Sequence, residues 1–326
     1  MAGALGTLLA TRDWLLADGA VGTNLFRMGL EPGEAPELWN ATEPGRVRAL
    51  HEGWVGAGCD IILTNSFGAN ASRLARHDAE GRVFELNRIA AEIAREVADG
   101  AGRPVVVGGS IGPTGEVVVE GGACAPSVAE AMFEEQARGL QAGGADVLWI
   151  ETFSGPLEFA AAARAAARVG LPWCGTMSFD TYGRTMAGLD VAGFAALIAS
   201  LPAAPMGFGA NCGVGASDLT RSVIGLAEAA PGATLIAKAN AGVPQFRDGR
   251  VGYDGTPELM ARYALLARDC GARIIGGCCG STPAHLGAMR VALEGRPRGP
   301  RPDLAAITAA LGPLSPASAD PGTGGA

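Results

Sequence analysis

Ile274-Ile275-Gly276-Gly277-Cys278-Cys279-Gly280 is a β-rich apolar run that stops in two adjacent cysteines bracketed by glycine. Adjacent cysteines are strained partners for a disulfide, but at the end of a strand they offer two thiolates to one soft metal ion. A similar run far upstream, Gly209-Ala210-Asn211-Cys212-Gly213, ends in a third cysteine. If both runs are parallel strands of one barrel, their carboxyl ends lie on one face. Cys212, Cys278 and Cys279 can then converge on a Zn2+ whose fourth position stays open, an arrangement suited to a substrate that is itself a thiol.

Working outward, β-rich runs alternate with segments of helical spacing along the whole chain, the pattern of parallel strands joined by crossover helices. The expected strands are Leu15–Gly19, Asp60–Phe67, Pro104–Ile111, Asp146–Phe153, Leu171–Phe179, Pro205–Cys212, Thr234–Ala241 and Ala272–Cys278. Helices are expected over Glu43–Ala57, Val83–Asp99, Ser127–Ala142, Pro156–Val169, Val191–Ser200, Ser217–Ala229, Thr256–Cys270 and Pro283–Leu293. A doubly wound sheet shares this alternation. The count of eight, with no G-x-G-x-x-G after the first strand, favours an α/β fold of the (β/α)8 TIM-barrel type in a single domain. Residues 1–295 are expected to form the barrel, and 296–326 a proline-rich extension with a helix at Leu304–Leu311 and a disordered last dozen residues.

The 326 residues fall within the range of one such barrel. Hydrophobic residues at 48% and charged residues at 18% are ordinary for a folded soluble protein. A net charge of -8 argues against nucleic acid or an anionic membrane as partner, since both reward clustered cations. Arg12 and Asp13 interrupt any signal-like core, and no apolar run reaches the ~20 residues of a membrane helix, so a cytoplasmic location is expected. Seven cysteines, an odd number in a reducing compartment, suit ligand or structural thiols better than a disulfide framework.

Polar and glycine-rich motifs cluster where a barrel puts its chemistry. Asp18-Gly19-Ala20-Val21-Gly22-Thr23 follows strand one and Thr64-Asn65-Ser66-Phe67-Gly68 strand two; Gly109-Ser110-Ile111-Gly112-Pro113-Thr114-Gly115, Glu151-Thr152-Phe153 and Asn240-Ala241-Gly242-Val243-Pro244 end strands three, four and seven. Together with GANCG and GGCCG, this set resembles the homocysteine S-methyltransferase family, zinc-dependent (β/α)8 barrels, from about Leu15 to about Leu293. In finer detail APELWN, GANCGVGASD and VGYDGTPELMARYALLARDCGARIIGGCCG are similar to bacterial betaine-homocysteine S-methyltransferases. The resemblance implies that Cys212, Cys278 and Cys279 hold zinc, that Glu151 and Asp18 hold the amino-acid end of homocysteine, and that Asn65 and Asn211 line the same mouth. It implies methionine as product and glycine betaine as methyl donor. S-methylmethionine, or a separate corrinoid protein serving a split cobalamin-dependent methionine synthase, are the alternatives. A homo-oligomer is possible, and a zinc-bound thiol sensor is the non-enzymatic reading.

A free alkyl thiol, with a pKa of about 8.5, is mostly protonated near neutrality, and bound zinc removes that limit. Each residue also has a plainer reading. A glycine-flanked cysteine is often a small core residue, as expected for Cys59, Cys124, Cys174 and Cys270. Glu151 can cap a helix, and Asp18-Gly19 can be only a turn. His51, His77 and His285, in or near helices, are expected to be solvated or capping. The animal betaine enzymes place tyrosines just after the strand-two and strand-four motifs. Here Phe67-Gly68-Ala69 and Glu151-Thr152-Phe153 stand instead, leaving Trp39, Phe67, Phe153 and Trp173 as candidate aromatic faces for a quaternary ammonium.

Overall fold

The computed structural model describes residues 3–247 and 250–315. Its strands are β1 (Leu15–Leu16), β2 (Ile61–Leu63), β3 (Val106–Ile111), β4 (Val147–Phe153), β5 (Trp173–Met177), β6 (Gly207–Cys212), β7 (Leu235–Ala239), β8 (Pro244–Arg247), β9 (Arg250–Tyr253) and β10 (Ala272–Gly277). Eight of them form one parallel sheet in the order β1-β10-β7-β6-β5-β4-β3-β2. The ring closes between β1 and β2 through a parallel bridge, Ala17 to Ile61, where the Asp60 amide donates to Leu16 and the Asp18 amide to Ile61. The fold is the expected (β/α)8 barrel.

The crossover helices start as the sequence indicates. Proline occupies the first turn of Pro44–Gly56, Pro126–Ala142, Pro156–Val169, Pro257–Cys270 and Pro283–Gly295, where its missing N–H costs no helical hydrogen bond. Two apolar layers result. Leu15, Ile61, Val106, Val147, Trp149, Ile236 and Ile274 fill the barrel, while helix side chains such as Phe133, Phe159 and Phe194 pack outside it. Gly209 in β6 lets Ile236 of β7 approach so closely that a Cβ would overlap its carbonyl oxygen.

Several elements lie outside the expected pattern, among them the short helices Val21–Arg27, Trp39–Thr42 and Ala71–Leu74 in the loops after β1 and β2. Helix Ala4–Thr11 closes the amino-terminal end of the barrel, burying Leu5 and Leu8 against the interior layer. An antiparallel hairpin, β8 with β9, stands between β7 and Pro257–Cys270. β1 and β2 are shorter than expected, and at the end of β2 polar side chains take over the bonding to β3. Thr64 Oγ1 accepts the Ser110 amide at 3.0 Å, and Ser66 Oγ donates to the Ser110 carbonyl at 2.7 Å. The Leu304–Leu311 helix forms as expected and buries Ile307; Ser217 donates to Gly312 beyond it. The disorder expected of the last dozen residues concerns a segment that, from 316 on, lies outside the described residues. No helix among the described residues is long and apolar enough to cross a membrane.

One histidine departs from expectation. His51 is fully buried, and neither ring nitrogen has a hydrogen-bond partner. His285 does cap, its Nδ1 accepting the Thr282 amide. Burial, and then the charge of Arg48, lowers His51 to about 4. The unfolded chain takes up this proton near pH 6.5, whereas the fold resists it until about pH 4. His51 therefore favours unfolding as the pH falls through that window. His51→Leu should flatten the loss of stability between pH 6.5 and 4 by up to about 3 kcal/mol, read by urea unfolding at each pH. An unchanged slope would show that His51 titrates normally.

Candidate functional site

At the carboxyl ends of the strands lies a cavity of about 300 Å³, lined by Gly19–Thr23, Phe26, Pro36, Glu37, Leu63–Asn65, Phe67, Ser110, Glu151, Thr152, Cys212, Lys238 and Gly277–Cys279. Three cysteine sulfurs meet at its floor. Cys212 ends β6, and Cys278 and Cys279 follow β10 directly; the three Sγ atoms lie within 4.8 Å of one another, with Cys212 and Cys279 3.9 Å apart. Four tetrahedral thiolates at about 2.3 Å from one ion sit about 3.8 Å from each other, so this spacing fits a shared cation. Among the described residues it is the one such cluster of His, Cys, Asp or Glu.

The backbone is shaped to bring the sulfurs together. Cys212 takes a left-handed conformation at φ 62°, uncommon for a residue with a side chain, which turns it out of β6 into the mouth. Across the barrel, Ser281 Oγ donates to the Cys278 carbonyl at 2.5 Å and accepts the Ala20 amide at 3.2 Å. A Cβ at Gly277 would collide with this hydroxyl, so glycine is required beside the pair.

Crowding three thiols disfavours three bare thiolates. The contact with Cys278 raises Cys212, and the contact with Cys212, aided by burial, pushes Cys279 up to about 12. A divalent cation reverses that balance, because coordination favours the deprotonated sulfur. The triad can therefore hold one soft cation and leave a position open toward the cavity. Tyr253 of β9 stands beside Cys279; burial first, and then that sulfur, raises its phenol.

Glu151 and Asn65 line the cavity, whereas Asp18 and Asn211 lie beneath its surface. Glu151 accepts from Ser110 Oγ at 2.6 Å, and burial raises its carboxyl against the opposing pull of Lys238. Asp18 is fully buried with both oxygens engaged, one by Lys238 Nζ and one by the Leu63 amide, 2.8 and 2.7 Å away. Asn211 braces the sulfur site. Its Oδ1 accepts from the Thr152 amide and Thr176 Oγ1, while its Nδ2 donates to Thr152 Oγ1 and contacts Cys278 Sγ at 3.7 Å. Asn65 Nδ2 donates to the Pro36 carbonyl and to Asn40 Oδ1, holding the segment that carries Glu37.

Of the four candidate aromatics only Phe67 reaches the cavity. Trp39 is buried beneath Arg46, and Phe153 and Trp173 belong to the packing outside the strands. Phe26, Glu37, Ser110 and Lys238 line the cavity without having been singled out from the sequence. Lys238 carried a legible signal: it is the chain's only lysine and sits in an apolar strand. Burial opposes its charge, but Asp18 and Glu151 outweigh that and hold the ammonium protonated.

A larger cavity of about 670 Å³ lies at the other end of the barrel, between Trp14, Arg268, Arg273 and Arg298. Size does not make it the better candidate. Arg268 donates to the carbonyls of Leu293, Arg296 and Pro297, and Arg273 to those of Leu9, Arg12 and Asp13, so these guanidiniums tie chain ends together.

Comparison with known proteins places the chain in one family over most of its length. The profile of the family described as homocysteine S-methyltransferase matches residues 15–293. A protein named methionine synthase from Mycobacterium tuberculosis is 33% identical over 301 residues, covering 89% of this chain and 24% of the relative. Its namesake from Mycobacterium leprae is 31% identical, with 86% and 24% covered. The chain thus spans about a quarter of the length of these curated relatives. The metallated form of the homocysteine methyltransferase MmuM from Escherichia coli superposes with a TM-score of 0.74 at 25% identity, covering 88% of this chain and 99% of that one.

The sulfur geometry sets an expectation that needs no substrate. One equivalent of Co2+ per chain should give a thiolate-to-metal charge-transfer band in the near ultraviolet, weakened or lost in Cys212→Ser, Cys278→Ser and Cys279→Ser. A Cys278→Ser protein that titrates like wild type would exclude the triad as the site.

Proposed function

Because the chain belongs to the homocysteine S-methyltransferase family, we propose that it is a zinc-dependent methyltransferase that converts homocysteine to methionine, with glycine betaine as methyl donor. The observation that carries this reading is the convergence of three cysteine sulfurs on the floor of a cavity walled by Glu151. Cys212, Cys278 and Cys279 would hold the Zn2+, which when bound keeps the substrate sulfur deprotonated and nucleophilic at neutral pH.

The chain's own residues supply the rest. Glu151, anchored by Ser110, binds the ammonium of the amino acid and fixes the distance from its head to its sulfur. Asn211 holds Cys278 and Thr152 in place beneath it. In the transfer the sulfur lone pair attacks the methyl carbon in line. The new S–C bond forms as the C–N bond breaks, and the electron pair stays on nitrogen, so dimethylglycine leaves. No proton moves at carbon, and the site needs no general base there.

Betaine is favoured by the outer wall of the cavity. Phe26 and Phe67 offer aromatic faces, and Glu37 a carboxylate, 6% exposed, one oxygen of which accepts the Gly68 amide at 2.6 Å. A quaternary ammonium is recognised by such a combination, at about 0.5–2 kcal/mol per aromatic contact. These groups take the place of the tyrosines that the sequence lacks. A second reading has its own support, since the curated relatives are named methionine synthases and extend far beyond the region matched. In it the chain is the homocysteine-binding unit of a split cobalamin-dependent methionine synthase, the methyl group arriving on a corrinoid protein.

Purified, zinc-loaded protein incubated with homocysteine should form methionine with betaine, and little with S-methylmethionine or methylcobalamin. Glu37→Gln should raise KM for betaine about tenfold while leaving KM for homocysteine nearly unchanged. Turnover restored only by methylcobalamin or a corrinoid protein would overturn the betaine assignment. Absence of methionine with every donor, alongside intact thiol binding, would favour a thiol sensor.

A further inference from the structure

Lys238 is the chain's only lysine among its 25 lysines and arginines, and it is 1% exposed. Its Nζ lies 5.7 Å from the centroid of the Trp149 ring, and the residue is among those lining the cavity. An ammonium has three N–H donors, and among the described residues only Asp18 accepts from this one, at 2.8 Å. Two donors therefore have no described partner. Glu151, whose charge acts on Lys238, gives one oxygen to Ser110 and has the other free of any described partner.

Burying a charge with unused donors is costly unless something completes its hydrogen bonding. A role confined to neutralising Asp18 would leave those donors without purpose, since Asp18 is already held by the Leu63 amide. A carboxylate oxygen without a described partner and an ammonium with two unused donors, both among the residues lining one cavity, match the two charges of an α-amino acid head.

Resting on the reading of homocysteine as the substrate, we propose that Lys238 is a specificity residue that receives the α-carboxylate of the amino acid while Glu151 receives its ammonium. The site thereby selects zwitterionic thiols over thiols that carry only one of the two charges. Asp18 acts behind Lys238 as its counter-charge, holding the ammonium in place without touching the substrate.

Calorimetric binding to the metal-loaded protein tests this with three thiols: homocysteine, its decarboxylated analogue homocysteamine, and its deaminated analogue mercaptobutyrate. Wild type should prefer homocysteine to homocysteamine by about tenfold or more. Lys238→Met should abolish that preference while retaining the preference for homocysteine over mercaptobutyrate, which Glu151 sets. Should Lys238→Met fail to fold because Asp18 is left unpaired, the double variant Asp18→Asn/Lys238→Met removes both charges and carries the same expectation. Lys238 is only structural if the variants lose affinity for all three thiols equally and keep the full preference for homocysteine over homocysteamine. That outcome overturns the inference and leaves the methyltransferase reading standing. A wild-type protein that binds neither homocysteine nor its analogues overturns both.

Discussion

Asp18 is the point on which the barrel and its mouth both depend. Its amide donates to Ile61 and its carbonyl accepts from Gly277, so its backbone joins β1 to β2 and to the end of β10 at the seam where pairing is shortest. Its carboxylate reaches the Leu63 amide and Lys238 of β7. Four strands thus meet at one buried residue. Burial pushes its carboxyl up, and the Lys238 ammonium pulls it back down. Removing one partner of such a pair typically costs about 3–5 kcal/mol, because the other charge stays behind unpaired. Closure of the ring and placement of a charge under the cavity are therefore one constraint.

The sulfur site follows from that closure. Cys278 and Cys279 leave β10 two residues after Gly276, whose close approach to Ala17 and Asp18 leaves no room for a side chain. Cys212 arrives from the neighbouring direction on β6, turned inward by its left-handed backbone. Thr152, at φ 66°, makes the same kind of turn at the end of β4 and bonds Asn211. Backbone strain in two strand ends is held by one asparagine network next to the sulfurs, the type of location where such strain serves function.

Much of this was legible in the sequence, because the barrel repeats a local signal. Most crossover helices announce themselves by proline or a capping residue, and the β-rich runs between them number eight. The unread elements lack that periodicity. Ala4–Thr11 is a short helix whose apolar residues make sense only against a barrel floor assembled from distant strands. The β8–β9 hairpin breaks the α/β alternation on which the reading of the other strands rests. At the site, the cysteine pair could be read from its glycine setting, whereas Asn211 offered no sign that its side chain would be spent on Thr152 and Thr176. Glu37 and Phe26 come from segments outside the strand ends, and only the folded chain brings them to the cavity.

With lysine confined to position 238, the molecular surface is dressed wholly in arginine as far as basic side chains go. Its basic side chains there keep their charge, since guanidinium holds its proton at any physiological pH. Modifications directed at lysine, such as acetylation or attachment of another protein, find no side-chain amine on the outside. The one side-chain amine is under the mouth of the barrel, where a reagent must first enter the cavity. Reactivity at that nitrogen thus reports entry to the barrel mouth together with release of the ammonium from Asp18, read at a single lysine side chain.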